Sequence, residues 1–331
     1  MLGRNWRPDF DPRVVHRELE IIRNDLHCNA VRIQGLDLDR LVTASDDALQ
    51  QGLEVWFSPE LWDRGADETL AYVVEGAVRA EQLRGRWGGR VVFSVGSEVS
   101  LFGQGFLPGT NVFERLGHPD FLATVRAGTH NPPLNAYLGR AVAGVREVFH
   151  GPVTYASVGL EAVEWTPFDI VGVDLYRDKR MGELYPRLLD RYKGFGKPVA
   201  NMEFGCCTFK GADELGGRGW EIVDWSTMPP RLKGAYEYDQ TTQAREVAEL
   251  LRINDEAGVD AAFVFTFVEA GAGLSSEAER ALLASLTFDP DLPRYSLVRS
   301  HLDGSRGTTY PDMTWEPKES FRAVADYYAN H

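Results

Sequence analysis

An eight-stranded α/β barrel is the fold this sequence predicts, on three observations. Apolar strand-like segments alternate with helix-like ones along the 331 residues. The strand segments are apolar on both faces, as parallel strands covered by helices are. The connections are also unequal. Links from a helix to the next strand are short (GRWGG, HGP, GFGK, AGVD), whereas three links that leave strand ends are long, about 99–133, 204–238 and 270–316. A barrel carries its chemistry at the C-terminal ends of its strands and on the loops that follow, so insertions on one face predict a deep site there.

The elements follow in order. Residues 11–26 (DPRVVHRELEIIRNDL) predict a helix: Asp11 is the N-cap, Pro12 takes the first helical position, and Val14, Val15, Leu19, Ile22 and Leu26 keep helical spacing. NAVRIQ (29–34) predicts a strand, 37–50 a helix ending near Gly52, and LEVWFSPEL (53–61) a strand. A helix over 67–84, the strand RVVFSVGSE (90–98) and a helix over 134–149 come next. PVTYASVG (152–159) and DIVGVDLY (169–176) are strands, followed by a helix over 182–193 and the strand KPVANMEFG (197–205). The chain closes with a helix over 239–256, the strand AAFVFTFVEA (261–270) and a helix over 317–329. These make seven strands; LGRNW (2–6) would be a weak or truncated first strand. No repeat, low-complexity tract or linker interrupts 1–331, which predicts one barrel domain.

Composition narrows the function. Apolar residues are 44% of the chain and charged ones 25%, enough for a large core and too hydrophobic for disorder. A net charge of −14 argues against nucleic acid and anionic membranes as partners. No run approaches the length of a membrane span, and MLGRNWRPDF has no apolar core of a signal peptide. Three cysteines, Cys28, Cys206 and Cys207, form no disulfide framework and no metal-ligand spacing, so a reducing cytoplasm and no metal or cofactor are expected.

The strand ends hold the charged residues. Counting LGRNW as the first strand, Arg32 ends the second, Glu60 the third and Glu98 the fourth. Asp174, Tyr176 and Arg177 end the sixth, Glu203 the seventh and Glu269 the eighth. An ionisable group in apolar surroundings is costly unless it is paired or used. Strands three steps apart around a small barrel face each other across its mouth. Carboxylates at the ends of strands four and seven are therefore expected to lie ~5–5.5 Å apart, the separation of a retaining glycosidase, with one a protonated acid and the other an ionised nucleophile.

These residues resemble the clan A glycoside hydrolases, whose acid/base ends strand four and whose nucleophile ends strand seven. The resemblance covers most of the chain, including the closing WEPKESFRAVADYY. It implies that Glu98 is the acid/base and Glu203 the nucleophile, that Tyr176 hydrogen-bonds the nucleophile, and that Arg32 is the basic residue often found at the end of strand two. Glu60, Trp62, Ser97, Asp174, Arg177 and Glu269 are the further candidates for contacting a carbohydrate or glycoside substrate. The sequence departs from the clan at two of these places. Ser97 stands before Glu98 where the clan usually has Asn, and strand eight carries Phe267 and Glu269 where a Trp platform is usual.

DLHCNAVRI, GLEVWFSPEL and GKPVANMEFGCCTFKGA also resemble a group of bacterial proteins labelled "abortive infection", a label that would imply phage defence. Three readings follow: a retaining glycoside hydrolase or transglycosidase, a non-catalytic sugar-binding or phage-defence pseudoenzyme, and a glycosidase-like enzyme acting on a natural product. Of the eight Trp, Trp62, Trp165, Trp220, Trp225 and Trp315 fall in or beside the presumed active-face loops, where rings either stack on sugars or pack the loops.

Overall fold

The computed structural model describes residues 7, 10–269 and 285–331. Helices and strands alternate as α1 (Pro12–Asn24), β1 (Ala30–Gly35), α2 (Leu38–Gln50), β2 (Glu54–Pro59), α3 (Ala66–Arg86) and β3 (Val91–Ser97). The long connection after β3 carries α4 (Val99–Phe102), α5 (Val112–Gly117) and α6 (Phe121–Ala127) before α7 (Asn131–Arg146). Then come β4 (Val153–Val158), β5 (Val171–Asp174), α8 (Tyr185–Lys193) and β6 (Val199–Phe204). A short ribbon of β7 (Val223–Asp224) and β8 (Arg231–Leu232) precedes α9 (Gln240–Glu256) and β9 (Ala261–Val264). A second ribbon, β10 (Val298–Ser300) with β11 (Trp315–Pro317), leads into α10 (Glu319–Ala329).

Seven strands form one sheet in the order β1-β2-β3-β4-β5-β6-β9, and β1 to β5 pair in parallel. This is the strand sequence of a (β/α)8 barrel. The weak first strand expected at 2–6 lies outside the described residues.

Local chemistry explains most boundaries. Asp11, Asp37 and Asp239 cap α1, α2 and α9, each accepting a hydrogen bond from a first-turn N–H that has no intrahelical partner. The helix expected from 134 begins at Asn131, because Pro132 and Pro133 suit the first turn, where no donor is needed. The strand expected over 169–176 is described only as Val171–Asp174; Leu175 N–H bonds the Glu203 carbonyl as the chain leaves the sheet.

Contacts divide the chain into two compact units. The first holds Cys28–Asp174 and Tyr192–Met202. Its core stacks Phe57 on Phe93, with centroids 6.1 Å apart, and Phe93 against Phe149 at 5.5 Å. The second holds Leu175–Arg191 and the described parts of Trp6–His27 and Glu203–His331. Its core gathers Cys206, Cys207, Phe209, Ile222, Leu292 and Tyr295. A buried glutamine ties it together: Gln243 Nε2 donates to the carbonyls of Cys206, Tyr295 and Ser296, and its Oε1 accepts from Ser320 Oγ.

Gly172 on β5 lies so close to β4 that a Cβ there would sit 2.4 Å from the Tyr155 carbonyl oxygen. Backbone cannot step aside cheaply, so Gly172→Ala is expected to destabilise the fold by ~1–3 kcal/mol, read as a lower urea midpoint in chemical denaturation.

Candidate functional site

In the first unit, strand ends β1, β2, β3 and β5 bring five of the candidates into one network. Arg32 is its hub. The guanidinium donates to Glu60 Oε1 at 3.3 Å, to Ser58 Oγ at 3.3 Å and to the Met202 carbonyl at 3.3 Å. It also lies 3.6 Å from Asp174 Oδ1. Arg32 and Asp174 side chains are 4% and 0% exposed, so both charges are out of water and each needs the other. Ser97 Oγ donates to Asp174 Oδ2 at 3.0 Å, and Trp62 Nε1 to Glu60 Oε2 at 3.3 Å. The Trp62 ring stacks on Phe102, 4.4 Å away and 14° from parallel. Glu60, Trp62, Ser97 and Phe102 border one small cavity.

Glu98 follows the last residue of β3 with φ 45° and ψ 41°, in the left-handed region. Non-glycine residues there are strained by ~1–2 kcal/mol and are held by their surroundings. The Glu98 N–H bonds the Ala156 carbonyl at 2.8 Å, and the Glu98 carbonyl accepts from Leu101 and Phe102 N–H. Tyr155 and Glu161 hold the next two residues: Val99 N–H donates to the Tyr155 hydroxyl at 2.7 Å, and Ser100 N–H to Glu161 Oε1 at 3.0 Å. Burial pushes the Glu161 carboxyl up to about 7, against the bonds from Ser100, Tyr155 and Val158 that lower it. The Tyr155 hydroxyl is raised well above its ordinary value, by burial first and then by the Glu161 and Glu98 carboxylates.

In the second unit, Glu203 is the half-buried residue of β6 between buried Met202 and Phe204. The Tyr176 hydroxyl donates to Glu203 Oε2 at 3.1 Å. Arg177 is engaged elsewhere: its Nε donates to Glu246 Oε1 on α9 at 2.9 Å, with Glu249 3.9 Å from its guanidinium. Glu269 accepts from Tyr295 N–H at 3.3 Å. Burial pushes its carboxyl up to about 7, while the Arg294 and Lys318 charges lower it. Lys318 is itself buried, donating to Thr208 Oγ1 at 2.7 Å and Asp291 Oδ2 at 3.2 Å.

The tryptophans divide. Trp165 and Trp315 are 3% and 2% exposed and serve as packing, Trp315 with its Nε1 on Glu18 Oε1 at 3.1 Å. Trp220 and Trp225 pack on the Cys206–Cys207 cluster. Sequence reasoning missed Tyr155, Glu161, Asp63 and Arg115. Asp63 follows Trp62, and its Oδ1 pairs with the fully buried Arg115 guanidinium at 2.8 Å, tying α5 to the Trp62 loop. Glu161 had a readable signal: it lies three residues beyond β4, a strand end to which no ionisable residue was assigned.

No family model matches the sequence, and no curated protein matches it. Solved structures do. A GH113 β-1,4-mannanase complex is similar with a TM-score of 0.60 at 14% identity, over 96% of this chain and 93% of that one. A GH113 β-mannanase from Alicyclobacillus acidocaldarius in complex with ManMIm gives 0.58 at 14% identity, over 98% and 93%. A glycoside hydrolase family 5 enzyme from Prevotella bryantii B14, in complex with a xyloglucan tetradecasaccharide, gives 0.53 at 11%, over 97% and 87%. The chain has the TIM-barrel fold of these glycosidases.

Replacing Arg32 with Met removes the cation that Glu60 and Asp174 share. Breaking a buried pair of this kind is expected to cost ~3–5 kcal/mol near neutral pH. The stranded carboxylates would then bind protons more tightly folded than unfolded. That penalty is present at pH 7 and shrinks as pH falls toward about 4, where they are neutralised. Denaturation of both proteins at several pH values checks the magnitude and the sign.

Proposed function

We propose that the protein is a retaining glycoside hydrolase or transglycosidase acting on a carbohydrate or glycoside, on a single barrel domain. The observation that carries this reading is the pair of glutamates at the ends of β3 and β6, on a fold similar to that of mannanases and a family 5 enzyme. In this mechanism Glu203 attacks the anomeric carbon and forms a glycosyl-enzyme intermediate. Glu98 protonates the departing oxygen, then takes a proton from the water or acceptor that releases the sugar.

Two details support the roles. Tyr176 donates to Glu203 Oε2, a hydrogen bond that fixes the orientation of the carboxyl group proposed to attack. The left-handed backbone at Glu98 is the kind of held strain that clusters at active sites. Arg32, Glu60, Ser97 and Asp174 supply a buried polar floor, and Trp62 a ring for an apolar sugar face. Arg177 and Glu269 are proposed as outer residues of the site, since their partners lie on α9 and around Tyr295.

A second reading is a non-catalytic sugar binder, including a phage-defence role. Ser97 favours it: its hydroxyl is committed to Asp174, where the clan's usual Asn would meet the sugar 2-hydroxyl. The two readings separate on turnover. With aryl β-mannosides and β-glucosides, the wild type is expected to release the aryl alcohol, and the first-formed sugar should keep its anomeric configuration by proton NMR. Glu203→Gln should abolish release with the fold intact by circular dichroism. Glu98→Ala should lower kcat/KM for poor leaving groups by ~10²–10⁴-fold. Retained turnover in Glu203→Gln would overturn the assignment, and saturable sugar binding without any turnover would favour the binder.

A further inference from the structure

We propose that Tyr155 and Glu161 are positioning residues for Glu98, clamping the turn that carries the acid/base. This rests on the reading of Glu98 above and extends it to two residues outside the strand ends first assigned to the site.

The clamp answers a problem set by the backbone. β3 ends at Ser97, Glu98 turns left-handed, and the chain enters α4, only four residues long. The first N–H groups of any helix lack intrahelical acceptors. Glu98, in the N-cap position, makes no side-chain cap bond, so its carboxyl is not consumed by its own helix. The acceptors come instead from β4 and the segment after it. Tyr155 takes Val99 N–H at 2.7 Å and Glu161 takes Ser100 N–H at 3.0 Å.

The two acceptors are themselves joined. The Tyr155 hydroxyl has one hydrogen and lies 2.9 Å from each Glu161 oxygen, so the carboxylate takes it as a shared bond. Glu161 Oε2 also takes Val158 N–H at 3.3 Å. Behind it, the fully buried His130 sets Nε2 2.8 Å from the Leu160 carbonyl, fixing the residue before Glu161. In front, Gly96 at φ 142° leaves room that a Cβ would take from Val99, 2.9 Å away. The residues on both sides of Glu98 are thus pinned, and the Glu98 N–H is pinned to Ala156, next to Tyr155. A serine in the N-cap position would take only one first-turn N–H, that of the second or third residue, and would leave Val99 N–H without an acceptor. Using a tyrosine and a remote carboxylate keeps residue 98 free to be a glutamate.

A positioning role has a kinetic signature that general instability lacks. Proton donation matters for a poor leaving group and little for an activated one. The experiment measures kcat/KM of wild type, Tyr155→Phe, Glu161→Gln and Glu98→Ala on phenyl and 2,4-dinitrophenyl β-glycosides of mannose and glucose. Tyr155→Phe is expected to lose about ten- to a hundredfold on the phenyl glycoside and at least tenfold less on the dinitrophenyl one, a part of the ~10²–10⁴-fold a general acid supplies. Glu161→Gln, whose side-chain oxygen still serves Ser100 N–H, should show the same selectivity with a smaller loss. Equal losses on both leaving groups, or none on the phenyl glycoside, would overturn the clamp. If wild type is active and Glu98→Ala shows no leaving-group selectivity, the acid assignment fails, and the clamp with it. If wild type turns over none of the four compounds, the glycosidase reading itself falls, and the inference falls with it.

Discussion

A non-glycine residue in the left-handed region costs roughly 1–2 kcal/mol, and Glu98 sits there at φ 45°. The surroundings are organised around that turn. Val99, Ser100, Leu101 and Phe102 each spend a backbone N–H to hold it, on Tyr155, on Glu161 and on the Glu98 carbonyl. Gly96 is needed two residues earlier because Val99 folds back against it. The stacked pair of Trp62 and Phe102 then grows directly from the end of α4, so the turn also sets the aromatic wall beside Glu60. One strained residue therefore connects the strand, the short helix and the loops of the first unit.

Buried charge is the second constraint. Arg32 with Asp174 and Glu60 in the first unit, and Lys318 with Asp291 in the second, hold ions away from water. Such pairs add little net stability compared with apolar packing, but removing one partner is costly. They therefore specify arrangement more than they strengthen it. Arg32 brings together residues from β2 and β5 and the Met202 carbonyl of β6, so one guanidinium orders several strand ends. Lys318 does the same for Thr208 and the segment around Asp291.

The sequence carried the alternation of strands and helices because that pattern follows from burial on both faces, and the Asp11 cap was readable because its chemistry is local. Strand-end residues could be listed for the same reason. Partnership was less readable. Asp174 and Arg177 stand three apart and invite a mutual bridge, yet one bonds Ser97 beside Arg32 and the other bonds Glu246, 69 residues on. Nothing local separates those outcomes, which are settled by which helix packs nearby. Glu161 escaped notice because VGLEAVEW lacks a strand's run of apolar residues after Val158. Its meaning appears only when Ser100 and Tyr155 converge on it from elsewhere in the chain.

The central claim is that Glu203 forms a covalent bond to sugar. Intact-mass spectrometry after incubation with 2,4-dinitrophenyl 2-deoxy-2-fluoro glycosides, followed by peptide mapping, tests it most directly, because the fluorine slows release of the intermediate more than its formation. The account predicts one added fluoroglycosyl group, located on the peptide containing Glu203 and absent from Glu203→Gln. An adduct on another residue, or a folded protein that turns over the matching aryl glycoside yet never acquires the label, would contradict it.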